Sequence, residues 1–109
     1  MLLNVLDSAG VTQKIIVASQ EAVVDKSGSI ASTGVAQVAI AANLLRSGFF
    51  IQNKGANPMY VNELGDATAD AGSFTIAPGA SFPPAGYPVS TGAISILGTA
   101  ADVFSAREW

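Results

Sequence analysis

The sequence predicts an all-β single domain, a sandwich or barrel of about eight short strands. Three observations carry that reading. Turn-forming clusters recur at short intervals: Asp7-Ser8-Ala9-Gly10, Asp25-Lys26-Ser27-Gly28-Ser29, Asn53-Lys54-Gly55-Ala56-Asn57-Pro58, Gly65-Asp66, Ala77-Pro78-Gly79 and Phe82-Pro83-Pro84-Ala85-Gly86. The runs between them have strand length, and several alternate apolar with polar or small residues, the period of two that a half-buried strand requires. Finally, 109 residues is the size of one domain, with no repeat at a fixed period to suggest a solenoid or propeller.

The expected strands run from Leu2 to Leu6, Lys14 to Ala18, Val35 to Ala42, Gly48 to Asn53, Met59 to Leu64, Ser73 to Ile76, Ala93 to Leu97 and Asp102 to Glu108. In the third, Ala36, Val38, Ile40, Ala42 and Leu44 alternate with Gln37, Ala39, Ala41 and Asn43, which would put the first set on one buried face. The same alanine-rich stretch, Val35 to Arg46, is long enough for three helical turns, so a helix remains open there. Phe49 and Ile51 share a face, as do Ile94 and Ile96, and both pairs should point into the core. Four of the five prolines fall between Ala77 and Val89, where the missing ladder donor excludes a central strand. The domain thus spans residues 1–109, with an N-terminal strand or arm over 1–12 and a proline-rich loop over 77–92.

Composition narrows the function. Half the residues are apolar and 12% are charged, against about 25% charged in ordinary soluble domains. A charge-poor surface is what a chain hidden in an assembly can tolerate. The other explanation is that Ser, Thr, Asn and Gln supply the polar surface. The net charge is -3, the pI is about 4.5, and the five basic residues Lys14, Lys26, Arg46, Lys54 and Arg107 are scattered. That pattern leaves no footprint for nucleic acid. The longest apolar stretch, Val35 to Leu45, is interrupted by Gln37 and Asn43 and is too short to span a bilayer. Met1 to Asp7 lacks the basic region and cleavage site of a secretory signal and reads as a first strand.

Chemistry has few places to reside. With no histidine and no cysteine, the Ser-His-Asp and Cys-His pairings cannot be built, nor can a disulfide or a zinc-thiolate site. A Ser-Lys pair would need a lysine of lowered pKa, yet Lys14, Lys26 and Lys54 lie in or beside turns that water reaches. Glu63, Asp66 and Asp70 are close in sequence but lack calcium-loop spacing, so a solvated loop is the simpler reading. Ser27-Gly28-Ser29 is not followed by a lysine at phosphate-loop spacing and reads as a turn. The expectation is therefore a non-enzyme with no cofactor, no metal site, no nucleic-acid partner and no membrane partner.

Aromatic residues are better candidates for contacts. Phe82 and Tyr87 stand in the proline-rich loop and Trp109 at the C-terminus, where each could meet a partner or cover its own core. Phe49, Phe50, Phe74 and Phe104, inside strands, read as core. With the N-terminal strand included, the expected partner contacts are Leu2, Leu3, Val5, Phe82, Tyr87, Arg107 and Trp109.

From Val35 onward a series of short pieces follows in order: Ala42-Asn43-x-x-Arg46, Ile51-Gln52-Asn53, Met59-Tyr60-Val61-Asn62, Gly65-x-Ala67, Ile76-x-Pro78-Gly79, and a final strand ending near Glu108. The series resembles small head decoration, or cement, proteins of tailed bacteriophages. The resemblance implies an antiparallel β-sandwich of jelly-roll type, made in the host cytoplasm and attached to the capsid exterior. It also implies the major capsid protein as partner and a homo-oligomer, dimer or trimer, as the bound form. A tail- or fibre-associated module that binds host carbohydrate or protein is the alternative, and it requires Trp109, Tyr87 and Tyr60 to converge on one face.

The matched residues Asn43, Arg46, Gln52, Asn53, Pro78 and Gly79 have structural readings. An Arg46 fork could grip backbone carbonyls or a carboxylate such as Glu63, Gln52 and Asn53 could satisfy exposed edge groups, and Pro78-Gly79 fits a tight turn with glycine at positive φ.

Overall fold

The computed structural model describes residues 2–6, 12–16 and 22–109, and among these it contains strands and turns but no helix. The strands are β1 (Leu2–Leu6), β2 (Thr12–Ile16), β3 (Val24–Asp25), β4 (Gly28–Ser29), β5 (Gln37–Ile40), β6 (Phe49–Asn53), β7 (Met59–Asn62), β8 (Phe74–Ile76), β9 (Ser81–Phe82), β10 (Ile94–Leu97) and β11 (Val103–Glu108). β1 and β2 pair antiparallel as a separate two-stranded hairpin. The turn expected at Asp7-Ser8-Ala9-Gly10 and the side chains of Leu2, Leu3 and Val5 lie outside the described residues.

The rest is an antiparallel β-sandwich. One sheet runs β5-β10-β7-β8; the other runs β3-β11-β6-β9, with β4 also pairing β11. Residues of alternate parity from both sheets meet between them: Ile51 and Ala106 from one, Val61, Met59, Ile94 and Ile96 from the other, all out of contact with solvent. Burying each large aliphatic side chain contributes about 1.5–3 kcal/mol, so this layer is the main stabilising element.

The third expected strand does form, as β5, and the helix does not. Asn43 stops the strand, because its Oδ1 accepts from the Leu45 amide (3.0 Å) while its carbonyl accepts from the Arg46 amide (3.1 Å), closing a turn. The even alternation of the sequence is broken by a register shift: Ile94 lies opposite Ile40, but Ser95 lies opposite Val38. Ala39 is thus the extra residue of a bulge. As a result Val38 and Ile40, two apart in sequence, face opposite ways, with Val38 59% exposed and Ile40 1%.

Three short strands depart from the sequence expectation. β3 and β4 lie where Asp25 to Ser29 reads as a turn, and β9 lies inside the proline-rich loop. Each has two residues, too few for alternation to register. β9 occupies a sheet edge, among the described residues pairing only with β6, which is where a segment bordering Pro83 can sit. The Phe82-Pro83 peptide is cis.

Candidate contact surface

The C-terminal segment is built from the centre of the larger sheet outward. β11 pairs with β6 through five residues, from Phe104 opposite Asn53 to Glu108 opposite Phe49. The ladder then continues, with the Trp109 amide donating to the Gly48 carbonyl (3.0 Å) and the Trp109 carbonyl accepting from the Gly48 amide (3.0 Å) and the Ser47 amide. Gly48 matters for lack of a side chain: a Cβ there would come within 2.5 Å of the Trp109 ring. The indole lies over that glycine and meets Phe50 with ring centroids 6.4 Å apart.

Phe50 lies opposite Arg107, and both share the outward face of this sheet with Gln52, Ser105 and Val103. Trp109 and Phe50 are each 36% exposed. Arg107 Nη1 donates to Asp25 Oδ1 (2.6 Å) and to Ser27 Oγ (2.9 Å), so the guanidinium is drawn toward β3 on the same outward face as the two rings. The Asp25 carboxyl is held below the usual aspartate range by hydrogen bonds from the Ser27 side chain and amide, with a smaller part from Arg107. An aromatic pair next to an oriented arginine is the residue combination that dominates protein interfaces.

The remaining expected contacts have other surroundings. Phe82 is a correction: it is 4% exposed, packed against Phe49, Phe74 and Tyr87. β9 places it opposite Ile51, on the inner face, so it seals the core. Tyr87 is half-buried, edge-on to Phe82 and Phe74, with its hydroxyl donating to Glu63 Oε1 (2.7 Å). Glu63 holds the Tyr87 hydroxyl above its ordinary pKa, first through that hydrogen bond, with burial and the carboxylate charge adding to it. Two phenylalanines read as core are instead exposed: Phe50 on the outward face and Phe74 on the edge strand β8, where Phe82 and Tyr87 meet its ring and still leave half of it open. Phe49 and Phe104 are buried as expected.

The six structural residues form two internal struts. Arg46 is buried; Nε donates to Glu108 Oε2 (2.9 Å), Nη1 to the carbonyls of Ser90 (2.6 Å) and Gly92 (2.9 Å), and Nη2 to that of Ala41 (2.7 Å). Its carboxylate partner is therefore Glu108 and not Glu63, because the β11–β6 register sets Glu108 opposite Phe49, whose ring also lies 5.4 Å from the Arg46 guanidinium carbon. Asn43 Nδ2 reaches Glu108 Oε1 at 3.4 Å, and Lys26 Nζ lies 3.7 Å from the same oxygen.

In the second strut, Asn53 is completely buried rather than exposed at an edge. Its Nδ2 donates to the carbonyls of Asn57 (2.7 Å) and Ile76 (2.9 Å), while Oδ1 accepts from the Gly55 amide (2.8 Å). Gln52 Nε2 donates to the Gly79 carbonyl (3.2 Å). Pro78-Gly79 forms the expected tight turn, with Gly79 at φ 82° and the Ala80 amide donating to the Ala77 carbonyl (2.9 Å).

Among the described residues no three acidic side chains are placed to share a metal ion. Asp70 instead closes its own loop, and its carboxyl is held below the usual range by the Thr68 hydroxyl and the Gly72 amide. The aromatics that a carbohydrate groove would need do not converge. Trp109 is on the outer side of one sheet, Tyr60 faces outward from the other, and Tyr87 covers the core edge between β8 and β9. No family model, curated protein or solved structure matches the chain.

Proposed function

We propose that this chain is a structural protein of a virion, a decoration protein that binds the outside of a bacteriophage head shell through protein–protein contacts with the major capsid protein. The single observation that carries this reading is the outward triad of Phe50, Trp109 and Arg107, in which the two rings pack on each other and the arginine is paired with Asp25. Preorganised aromatic and arginine side chains lose little entropy on docking, so most of their contact area is available as affinity. Charge scarcity supports the same reading, because few charged groups would have to be desolvated at such a contact. So does the hairpin β1–β2. Among the described residues it shares no ladder with the sandwich, and a two-stranded ribbon is marginal in water unless a third strand or another surface covers it.

The sequence pieces that resemble head decoration proteins fall on the struts, with Asn43 and Arg46 in one and Gln52, Asn53, Pro78 and Gly79 in or beside the other. Their role is to hold the sandwich closed, leaving recognition to other residues. A homo-oligomer on the shell, dimer or trimer, belongs to the same proposal.

The test is to mix purified protein with phage shells that lack it, pellet the shells and quantify bound copies. Saturation at a fixed ratio to the capsid subunit, with a raised shell melting temperature, is the expected result. Trp109→Ala should weaken binding by roughly tenfold or more, the loss typical of an aromatic anchor. Absence of binding by the wild-type chain would overturn the proposal.

A further inference from the structure

A second site lies away from the Trp109 face. Between the chain leaving β7 and the loop following β9 is a cleft of about 310 Å³ lined by Glu63, Leu64, Tyr87, Pro88, Val89 and Ser90. Its walls are mostly apolar, and Leu64, 89% exposed, stands at the rim. Glu63 supplies the one carboxylate. Tyr87 occupies Oε1, but Oε2 is closed off from solvent and accepts no hydrogen bond. Among the described residues no basic side chain forms an ion pair with Glu63.

The cleft is also built in advance. Arg46 clamps the carbonyls of Ser90 and Gly92, fixing one end of the loop. Tyr87 fixes the other end by packing against Phe74 and Phe82 and by donating its amide to the Pro84 carbonyl (3.2 Å). An acceptor left unpaired among apolar groups is costly, and a donor delivered to it recovers that cost. Glu63 itself lines the cleft, and the terminal torsion of a glutamate is broad, so its carboxylate can turn to meet a donor that enters there.

We infer that this cleft binds an aliphatic cation, an ammonium or guanidinium carried on an apolar stem, with the charged head on Glu63 and the stem against Leu64, Pro88 and Val89. A lysine or arginine side chain of a partner protein has this chemistry, and so does a free diamine. The site does not depend on the capsid reading, since any partner presenting such a group would fit.

The experiment is an amide and side-chain NMR titration of the full chain with n-butylammonium, using n-butanol as the uncharged match in size. Saturable shifts confined to residues 63–64 and 87–90 are expected for the cation and should weaken as sodium chloride is raised. Glu63→Gln, checked for an unchanged spectrum elsewhere, should weaken the cation by about tenfold or more, as loss of a charged hydrogen-bond partner does. Nα-acetyl-lysine methylamide and putrescine then separate the sources: a backbone-bearing lysine that binds like n-butylammonium identifies a protein side chain, whereas binding by putrescine alone identifies a free diamine. No shifts at these residues, equal binding of n-butanol, or indifference to both salt and Glu63→Gln would overturn the inference.

Discussion

At the scale of single residues, the strongest constraint is Arg46. Its guanidinium is buried with Glu108 on one side and the carbonyls of Ala41, Ser90 and Gly92 on the others. A pair taken out of water this completely gives modest net stability but is expensive to break, because the survivor is left charged and unsolvated. Arg46→Met should therefore destabilise the fold by about 3–5 kcal/mol in urea denaturation, with the burial of the three carbonyls adding to the loss of the pair. Tyr87 gives a pH signature. Its folded pKa is raised, so its contribution is complete below the value of an unfolded tyrosine, near about 10, and is lost as pH rises through the folded value. Denaturation midpoints measured from neutral to strongly alkaline pH should fall more steeply for the wild type than for Tyr87→Phe. A parallel decline would show that the Glu63 hydrogen bond contributes nothing.

At the scale of elements, the bulge at Ala39 decides which residues of β5 matter. Ile40→Ala should cost about 2–5 kcal/mol, as truncation of a buried aliphatic does, while Val38→Ala on the outward face should stay within about 0.5 kcal/mol. Equal losses in thermal denaturation would mean that the bulge is misplaced. The bulge also shows what sequence patterning can and cannot convey. Local chemistry was readable: Pro78-Gly79 specifies its turn through its own torsions, and Phe49, Ile51, Ile94 and Ile96 announce their face by alternation. Whatever depends on the partner strand was not. An unbroken period of two in β5 gives no sign that Ser95 will sit opposite Val38. Phe74 has the pattern of a core strand and is half exposed at the end of its sheet, while Phe82 borders two prolines and is buried because β9 sets it opposite Ile51. The carboxylate that meets Arg46 lies 62 residues away, so nothing near Arg46 distinguishes it from Glu63. On the candidate contact surface, Arg107 and Trp109 are expected from sequence and Phe50 is not, since only the β6–β11 register sets it on their face.

At the scale of the whole molecule, β11 organises the larger sheet. β3, β4 and β6 all pair with it, and Arg107 joins Asp25 across 82 residues of chain. Contacts this distant require large loops to close before any ladder stabilises them, which slows folding. Refolding followed by Trp109 fluorescence in stopped flow should fall in the millisecond-to-second range typical of β-sandwiches; microsecond refolding would mean that the pairings made by β11 do not limit the rate. The same topology has a consequence on the ribosome. A chain still growing toward Val103 holds β3, β4 and β6 without the strand that joins them, and its outward triad lacks both Arg107 and Trp109. The larger sheet and the outward face that carries Phe50 are thus completed by the same few residues, so a copy cut short before Val103 would hold neither.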